Sequence, residues 1–306
     1  MTEPRLAVLV IAFERPAETR AVLEALASHS SAKVAVFQDG PRDSPEALAR
    51  HRATREVIRE FRGDVIHEYR ALEKNAGCAF GVGEAIRWFF SKNERGAVLE
   101  DDCLPTIEFL EFCASGLSRH ESNQQIGSIG GQGYSLPAGA SPELSVLSRY
   151  PQIWGWATWR DRLEGFQVVV PQWRRALKGS TPWQELGPLE RRDWRRTFES
   201  VATARPHTWD AQLVLHHWSR NQYALLPPVP LVENIGFGEL ATHTKADPPG
   251  WVQPLGSPRE RSNAVSVLTS SQSEPSRNTQ VDTWLSANVY SPSLFSRMRR
   301  RLRLDE

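Results

Sequence analysis

The first hundred residues alternate between short apolar runs and stretches with helical spacing, and this alternation limits the fold more than any other feature. Leu6–Ala12 (LAVLVIA) is a continuous run of the kind found in strands that are covered on both faces. Pro16 then suits the first turn of a helix. Further strands are predicted at 34–37, 64–69 and 97–99, with a helix at 83–92. The pattern predicts an α/β fold with a mostly parallel central sheet flanked by helices.

Acidic side chains follow two of these predicted strands. Asp39 lies in a Gln-Asp-Gly-Pro turn after the second strand, and Glu100, Asp101 and Asp102 follow the fourth. Ligands of such sheets bind at the carboxyl ends of the strands. Three adjacent carboxylates repel one another unless a cation is near, and a hard divalent ion shared with a substrate diphosphate is the chemistry that suits them. A solvated acidic loop is the alternative interpretation.

Several common site types are excluded by the sequence. The loop after the first strand, Phe13-Glu14-Arg15-Pro16, has no glycine, so it cannot be a dinucleotide-binding fingerprint. No phosphate-binding P-loop, Gly-x-Ser-x-Gly elbow or His-Glu-x-x-His helix occurs in the chain. The 37 Lys and Arg residues against 36 Asp and Glu leave a formal charge of +1, which gives no reason to expect nucleic acid as a partner.

The same sequence indicates where the protein works. No stretch approaches the ~20 apolar residues of a membrane span. The N-terminus lacks the features of a secretory signal, and the three cysteines are too few for a disulfide framework. We therefore expect a bacterial cytoplasmic protein, at most attached to the inner face of the membrane.

The order of motifs resembles the A-type nucleotide-sugar glycosyltransferases. The motifs are FERP, FQDGP, EKNAGCAFG, VLEDDCLP, WGWATW and NIGFGELATH. The resemblance spans residues 6 to about 245 and is greatest to the branch of N-acetylglucosaminyltransferase I and to bacterial enzymes labelled haemolytic-protein-like. It implies the Rossmann-like GT-A fold, with a nucleotide-sugar-binding half at 1–103 and an acceptor-binding half at 104–247.

The resemblance also implies roles for individual residues. Asp102 would bind the Mn²⁺ or Mg²⁺ ion that bridges the donor diphosphate, while Glu100 and Asp101 would hold the ribose or the donor sugar. Turn chemistry alone favours Asp, Asn and Gly, so a plain turn role is the alternative for the other positions. The remaining nucleotide-binding residues that it implies are Arg15, Asp39, Lys74 and Asn75.

Tryptophan dominates the second half of the chain, where ten of the 11 tryptophans follow residue 150. We expect most of them to be core residues, including Trp173, Trp183 and Trp194. The Trp154-Gly155-Trp156 segment is different, because glycine lets the backbone approach a ligand and flat aromatic faces suit a sugar ring. The resemblance places this segment against the donor sugar and the acceptor.

Asp210 has two interpretations. It follows a tryptophan at the start of an apolar stretch, where an acid complements the dipole of a helix. In an inverting transferase it would be the general base that deprotonates the acceptor hydroxyl, which is the interpretation that we favour. His243 ends a glycine-punctuated loop and is a second candidate for contacting phosphate or metal. A plain surface loop explains His243 equally well.

The last part of the chain, 248–306, is rich in Pro, Gly and Ser and is interpreted as a linker followed by a basic tail. The tail mixes five arginines with apolar residues, so it either docks on an anionic membrane or is disordered. A second basic segment, 171–196, contains seven basic residues and three acidic ones. It either faces an anionic acceptor or lipid headgroups or is a solvated helix face.

The function expected from the whole sequence is metal-dependent transfer of a hexosyl or N-acetylhexosaminyl group in polysaccharide biosynthesis. The donor would be a nucleotide-diphosphate sugar, and the acceptor a glycan or a lipid-linked glycan. The alternative is a catalytically inactive nucleotide-sugar or glycan-binding module. A sugar-1-phosphate nucleotidyltransferase would need a glycine-rich loop with Arg after the first strand, and FERP is not such a loop.

Overall fold

The computed structural model describes residues 6–29, 32–133, 144–203, 206–237, 252–270 and 274–290. Strands and helices alternate through the first half, as the sequence predicts. These elements are β1 (Leu6–Ala12), α1 (Pro16–Ala27), β2 (Ala32–Gln38), α2 (Pro45–Glu60), β3 (Ile66–Ala71), α3 (Cys78–Phe90), β4 (Arg95–Glu100), β5 (Cys103–Pro105), α4 (Ile107–Arg119) and β6 (Ile126–Gly130).

The second half is less regular, with short strands between helices of uneven length. A π-helical turn, Ser286–Tyr290, follows its last helix. The elements are β7 (Val146–Ser148), β8 (Trp156–Trp159), α5 (Trp173–Ala176), α6 (Thr181–Gln184), α7 (Pro188–Val201), α8 (Asp210–Ser219), β9 (Tyr223–Leu226), β10 (Val232–Asn234), α9 (Pro258–Ser270) and α10 (Thr279–Leu285).

One central sheet joins the two halves, and the fold is α/β with helices flanking the sheet. Its eight strands lie in the order β3-β2-β1-β4-β8-β6-β9-β7. The neighbours β3-β2-β1-β4 are all parallel, whereas β8 is antiparallel to both β4 and β6. A separate antiparallel pair joins β10 to β5, just beyond the end of β4. Both pairings bring the second half of the chain to the carboxyl ends of the first strands.

The alternation of side chains along β1 explains its continuous apolar run. Val8 and Val10 belong to a core cluster with apolar residues of α1, α2 and α4. Leu9 and Ile11 point the other way, into a cluster with α3, α8 and Trp156. Both faces of the strand are covered, so no position along it favours a polar residue. The tryptophans expected in the core are part of it, since Trp173 and Trp194 are buried and Trp183 packs against their cluster.

The helix boundaries follow local signals of different strength. Ser44 caps α2, since its hydroxyl oxygen accepts the Ala47 N–H at 3.1 Å and Pro45 takes the first helical position. Helix α3 begins at Cys78, five residues before the predicted start. Its N-cap is Gly77, whose φ of +81° favours glycine. Glycines within the first turns of α3 hide its start from a helix-propensity argument.

The prediction of a linker through residue 280 is wrong for the described part of that segment. Helix α9 packs on α4 through Ala264 and Leu268, and α10 buries Val281 and Leu285. In each helix the apolar residues recur at a spacing of four, which suffices to bury a narrow face despite the polar composition. No helix in the described ranges is both long and apolar enough to cross a membrane. The basic tail from residue 291 lies outside the described residues.

Candidate active site

Several predicted site residues meet at one edge of the sheet. Because β1, β2 and β4 are parallel, Arg15, Asp39 and the acidic triplet (Glu100, Asp101 and Asp102) all follow strands that end at this edge. Strand β8 runs the opposite way and starts there. The structure thus places these side chains where ligands of α/β sheets bind.

The acidic triplet is held by groups from three parts of the chain. The Phe13 N–H donates to Asp101 at 2.9 Å. The guanidinium of Arg15 contacts the Asp102 carboxylate directly and lies 3.8 Å from Asp101. The buried indole N–H of Trp209 donates to Glu100. Trp209 therefore links the second half of the chain to the end of β4.

The triplet carries more negative charge than its surroundings neutralise. Burial raises the pKa of Glu100 and of Asp101 well above the usual carboxyl range, and the charge of Asp102 raises both further. The charge of Arg15, whose guanidinium contacts the triplet, lowers the pKa of both carboxyls. Three carboxylates beside one guanidinium favour binding of a further cation.

The donor set fits a divalent ion that is shared with a ligand. Within the described ranges, no three His, Cys, Asp or Glu side chains form a group that could hold a metal by themselves. Asp102 is partly accessible and directs its carboxylate toward Arg15. Mg²⁺ and similar hard ions are commonly bound by one or two carboxylates together with substrate phosphates. Asp102 fits such a role, and most of the coordination would come from the ligand.

Asp39 is the anchor of the loop between β3 and α3. One carboxylate oxygen accepts the N–H groups of Gly40 and Ala76, at 2.8 and 2.9 Å. The other accepts from the Asn75 amide at 3.1 Å and from the Gly77 N–H at 3.2 Å. Burial raises the pKa of Asp39, although the three backbone donors act in the opposite direction. The carboxylate thus shapes this loop, and Asn75 acts with it.

The loop next to Asp39 brings two further side chains to the edge. Lys74 is exposed, and its backbone packs so closely on Gly40 that a Cβ there would overlap it. Cys78 begins α3 beside the acids: burial and the charges of Glu100, Asp210 and Asp39 raise the pKa of its thiol to about 12. Asp39 also lies against the first turn of this helix, since a Cβ on Gly81 would be 3.0 Å from its carboxylate.

Asp210 is the first residue of α8 and directly follows Trp209. One of its oxygens accepts the Ala211 N–H at 2.7 Å and the Thr208 hydroxyl. Its second oxygen has no hydrogen-bond partner among the described residues. The first oxygen therefore accepts a backbone N–H at the helix start, as the structural interpretation of Asp210 expects.

The Trp154-Gly155-Trp156 segment divides into three roles. Trp156 is fully buried and stacks on Trp209 with ring centroids 5.8 Å apart, so it presents no face to a sugar and instead positions Trp209. Gly155 has a φ of +71°, and a Cβ there would lie 2.7 Å from Val232, so its backbone approaches protein. Trp154 is half-buried, and its ring lies edge-to-face with Phe237 at 5.6 Å.

The segment after β10 makes a contact that the sequence did not reveal. The Ile235 N–H donates to the Asp102 carbonyl at 2.9 Å. A Cβ on Gly236 would overlap the Asp102 carboxylate and lie 2.6 Å from Arg15. Gly236 of the NIGFG motif is visible in the sequence, but nothing in the sequence indicates that it packs against Asp102. His243, farther along this motif, lies outside the described residues.

The two neighbouring histidines of α8 have structural roles. His216 donates from Nε2 to the Arg162 carbonyl at 2.7 Å. His217 bonds the Leu213 carbonyl and the Ser128 hydroxyl, both at 3.0 Å. Burial lowers the pKa of His216 to about 4 and that of His217 to about 3, so both rings are neutral near pH 7.

Two cavities of the described chain lie away from this edge. A cavity of about 950 Å³ is bordered by Arg95, Trp159 and Phe166, and one of about 600 Å³ follows α8 past Gln212 and His216. Neither is lined by the acidic triplet or by Asp210. The candidate site therefore rests on the convergence of side chains and not on cavity size.

The likeness of this chain to known proteins is found among solved structures and is weak. No protein-family profile matches the chain, and no curated protein matches it by sequence. Among solved structures, the chain is similar to the mannosyltransferase PcManGT from Pyrobaculum calidifontis in complex with GDP-Man and Mn²⁺. The two are 12% identical, with 98% of this chain and 84% of that one covered, and the TM-score is 0.42. A likeness of this degree says nothing about substrate.

Proposed function

We propose that this protein is a glycosyltransferase that moves a sugar from a nucleotide-diphosphate donor to a glycan or glycoconjugate acceptor. The observation that carries the proposal is the convergence of Arg15, the acidic triplet and Asp210 at one sheet edge, linked by the Trp209–Glu100 hydrogen bond. The order of motifs, which resembles A-type glycosyltransferases, supports it. The assignment to the GT-A fold and to the branch of N-acetylglucosaminyltransferase I is part of the same proposal.

Each half of the site has a distinct task in the proposed reaction. Arg15 and Lys74 would contact the nucleotide and its phosphates, while Asp39 and Asn75 would keep the β3–α3 loop in place beside the nucleotide. Glu100 and Asp101 would face the ribose or the donor sugar. Asp102 would hold Mn²⁺ or Mg²⁺, an ion that neutralises charge on the leaving diphosphate when bound.

The acceptor step requires a group that removes one proton. The second oxygen of Asp210 would take the proton of the acceptor hydroxyl while the hydroxyl oxygen bonds to the anomeric carbon. The bond from this carbon to the diphosphate oxygen breaks at the same time, and its electron pair leaves with the nucleoside diphosphate. Attack on the face opposite the leaving group inverts the configuration. Trp154 would pack against one of the sugars.

A thermal-shift panel of nucleotide-sugars and nucleoside diphosphates, with and without Mn²⁺, tests the donor assignment. A cognate donor at a hundredfold excess over its Kd should stabilise the protein by about 2.7 kcal/mol. Asp102→Asn should remove the Mn²⁺-dependent part of this shift, because a neutral amide is a poor substitute for a charged oxygen ligand of a hard cation. The exposed Asp64→Asn serves as the control.

Two results would contradict parts of this proposal. A full Mn²⁺-dependent shift in the Asp102→Asn variant would exclude Asp102 as the metal ligand. A donor that binds but releases no nucleoside diphosphate with any glycan acceptor in the panel would favour the inactive binding module.

A further inference from the structure

The outer face of α7 combines arginines with an exposed leucine. Its inner face packs into the second-half core through Trp194 and Phe198. On the outer face Leu189 is 68% exposed, which is the highest fraction among the large apolar side chains that the structure describes. Arg192, Arg195 and Arg196 are exposed on the same helix.

The cations of this region are only partly neutralised. Arg192 and Arg196 share one acid, Asp193, at 3.3 and 3.9 Å. Arg195 forms no ion pair with any described residue. Exposed pairs of this kind are easily exchanged for other anions, because water screens them. Arg174 of the preceding segment pairs with Glu199 of α7. We call Leu189, Arg192, Arg195 and Arg196 the α7 basic face.

The α7 basic face lies close to the proposed site. The Trp194 ring, on the inner side of α7, is 5.7 Å from the ring of Tyr290, which in turn stacks on Tyr150 at 4.5 Å. Helix α8, which begins at Asp210, contacts α7 and shares its core cluster through Ala211 and Trp218. One helix and one aromatic layer therefore separate the basic face from the proposed base.

The same aromatic layer marks where the chain continues. Tyr290 is the last described residue, and residues 291–306 contain five arginines interspersed with Leu, Phe and Met. Tyr290, which precedes these residues in the sequence, lies beside Trp194 on the inner side of α7. Both cationic segments stand out in a chain whose overall formal charge is only +1.

We propose that the α7 basic face docks on an anionic lipid bilayer, with the arginines against the headgroups and Leu189 inserted between them. An exposed leucine among arginines is typical of interfacial helices, and a polyanion such as RNA would give Leu189 nothing to contact. If the proposed function holds, this orientation brings Asp210 close to the membrane and the acceptor is carried on a lipid.

Co-sedimentation with vesicles tests this docking without donor or acceptor, so it stands or fails independently of catalysis. The wild-type chain should sediment with vesicles of 70% phosphatidylcholine and 30% phosphatidylglycerol, roughly tenfold or more above pure phosphatidylcholine, and less at high salt. The charge-reversed variant R192E/R195E/R196E should lose this binding. The matched control R52E/R59E/R62E changes the charge equally on and just after α2 and should keep most of it.

Four outcomes would overturn the proposal. The wild-type chain could sediment equally with both kinds of vesicle, or the folded α7 variant could bind as well as wild type does. The α2 control could lose as much binding as the α7 variant, or RNA at the same concentration of charge as the lipid could displace the protein from the vesicles. A chain ending at Tyr290 tests the tail. If the α7 variant binds as wild type does and the truncated chain does not bind, the tail alone is responsible for docking, which overturns the proposal. If charge reversal unfolds α7, as judged by circular dichroism, R192Q/R195Q/R196Q replaces it.

Discussion

Asp210 has one carboxylate oxygen engaged in starting α8 and one without a partner among the described residues. Asp210→Asn keeps an oxygen that can accept the Ala211 N–H, so the helix start should survive. The variant loses the ability to take a proton, and kcat should fall by roughly 10²–10⁴-fold, the usual contribution of a positioned general base. Steady-state transfer kinetics and the donor-dependent thermal shift, measured on one preparation, check this.

The contrary outcome for this variant is well defined. An acid that only complements the helix dipole contributes about 0.3–1 kcal/mol to stability. A slightly lower melting temperature with nearly normal kcat would therefore exclude Asp210 as the base.

Gly236 is the residue whose substitution most directly tests the packing over the acidic triplet. A methyl group there would overlap the Asp102 carboxylate and crowd Arg15. Gly236→Ala should therefore weaken Mn²⁺-dependent donor binding at least tenfold, which corresponds to about 1.4 kcal/mol. Titration calorimetry with the best donor of the panel measures this loss.

Gly187→Ala is the matched control for that substitution. Gly187 precedes α7, and a Cβ there would meet nothing within 4 Å. Equal donor affinity in the two alanine variants would show that Gly236 does not constrain the triplet.

Helix α8 should make the protein sensitive to acid. The unfolded chain protonates His216 near its ordinary pKa of about 6.5, whereas the folded ring stays neutral to about pH 4 because of its burial. The folded state binds fewer protons in this window, so the free energy of unfolding falls as the pH drops, by about 1.4 kcal/mol per pH unit for this ring.

His216→Gln isolates this effect. Glutamine can still donate to the Arg162 carbonyl but does not titrate in this range. Urea unfolding at several pH values between 4 and 7 should show a shallower pH dependence than in wild type. His67→Gln, at an exposed position, is the control. Parallel curves for wild type and His216→Gln would mean that His216 is not neutral in the folded state.

Local signals predicted β1 to β4 and the helices between them, but they did not predict contacts between distant segments. The apolar run of β1 and the Ser44 cap are written in adjacent residues, and so is the position of the acidic triplet at a strand end. The Trp209–Glu100 hydrogen bond joins residues more than a hundred positions apart, and no spacing rule connects them. Burial of Trp156 likewise depends on which strands flank β8.

At the scale of the whole molecule, the segment whose composition is typical of a linker contributes to the core. Leu268, Val281 and Leu285 are buried there, and the fully buried Asp282 accepts hydrogen bonds from Ser148 and Arg277. Burial of the three apolar side chains contributes about 5–9 kcal/mol. This is comparable with the total stability of an ordinary domain, about 5–15 kcal/mol.

Two truncations test the contribution of this segment. A chain that ends at residue 252 should lose cooperative unfolding, because it lacks both α9 and α10. A chain that ends at Tyr290 keeps every contact named above and should unfold as wild type does. Calorimetry distinguishes the two, and a sharp, unshifted transition in the shorter chain would mean that α9 and α10 are dispensable.

The insertion of β8 between β4 and β6 affects the protein while it is still being made. About 60 residues separate the end of β4 from the end of β8, and a ribosome needs roughly 3–12 s to add them. Throughout this interval the nascent chain exposes unpaired backbone groups along one side of β4, a template for wrong pairing. Strand β6 emerges first, already with the direction that would let it pair there in parallel. We expect the nascent chain to require chaperone binding until Trp159 has left the exit tunnel.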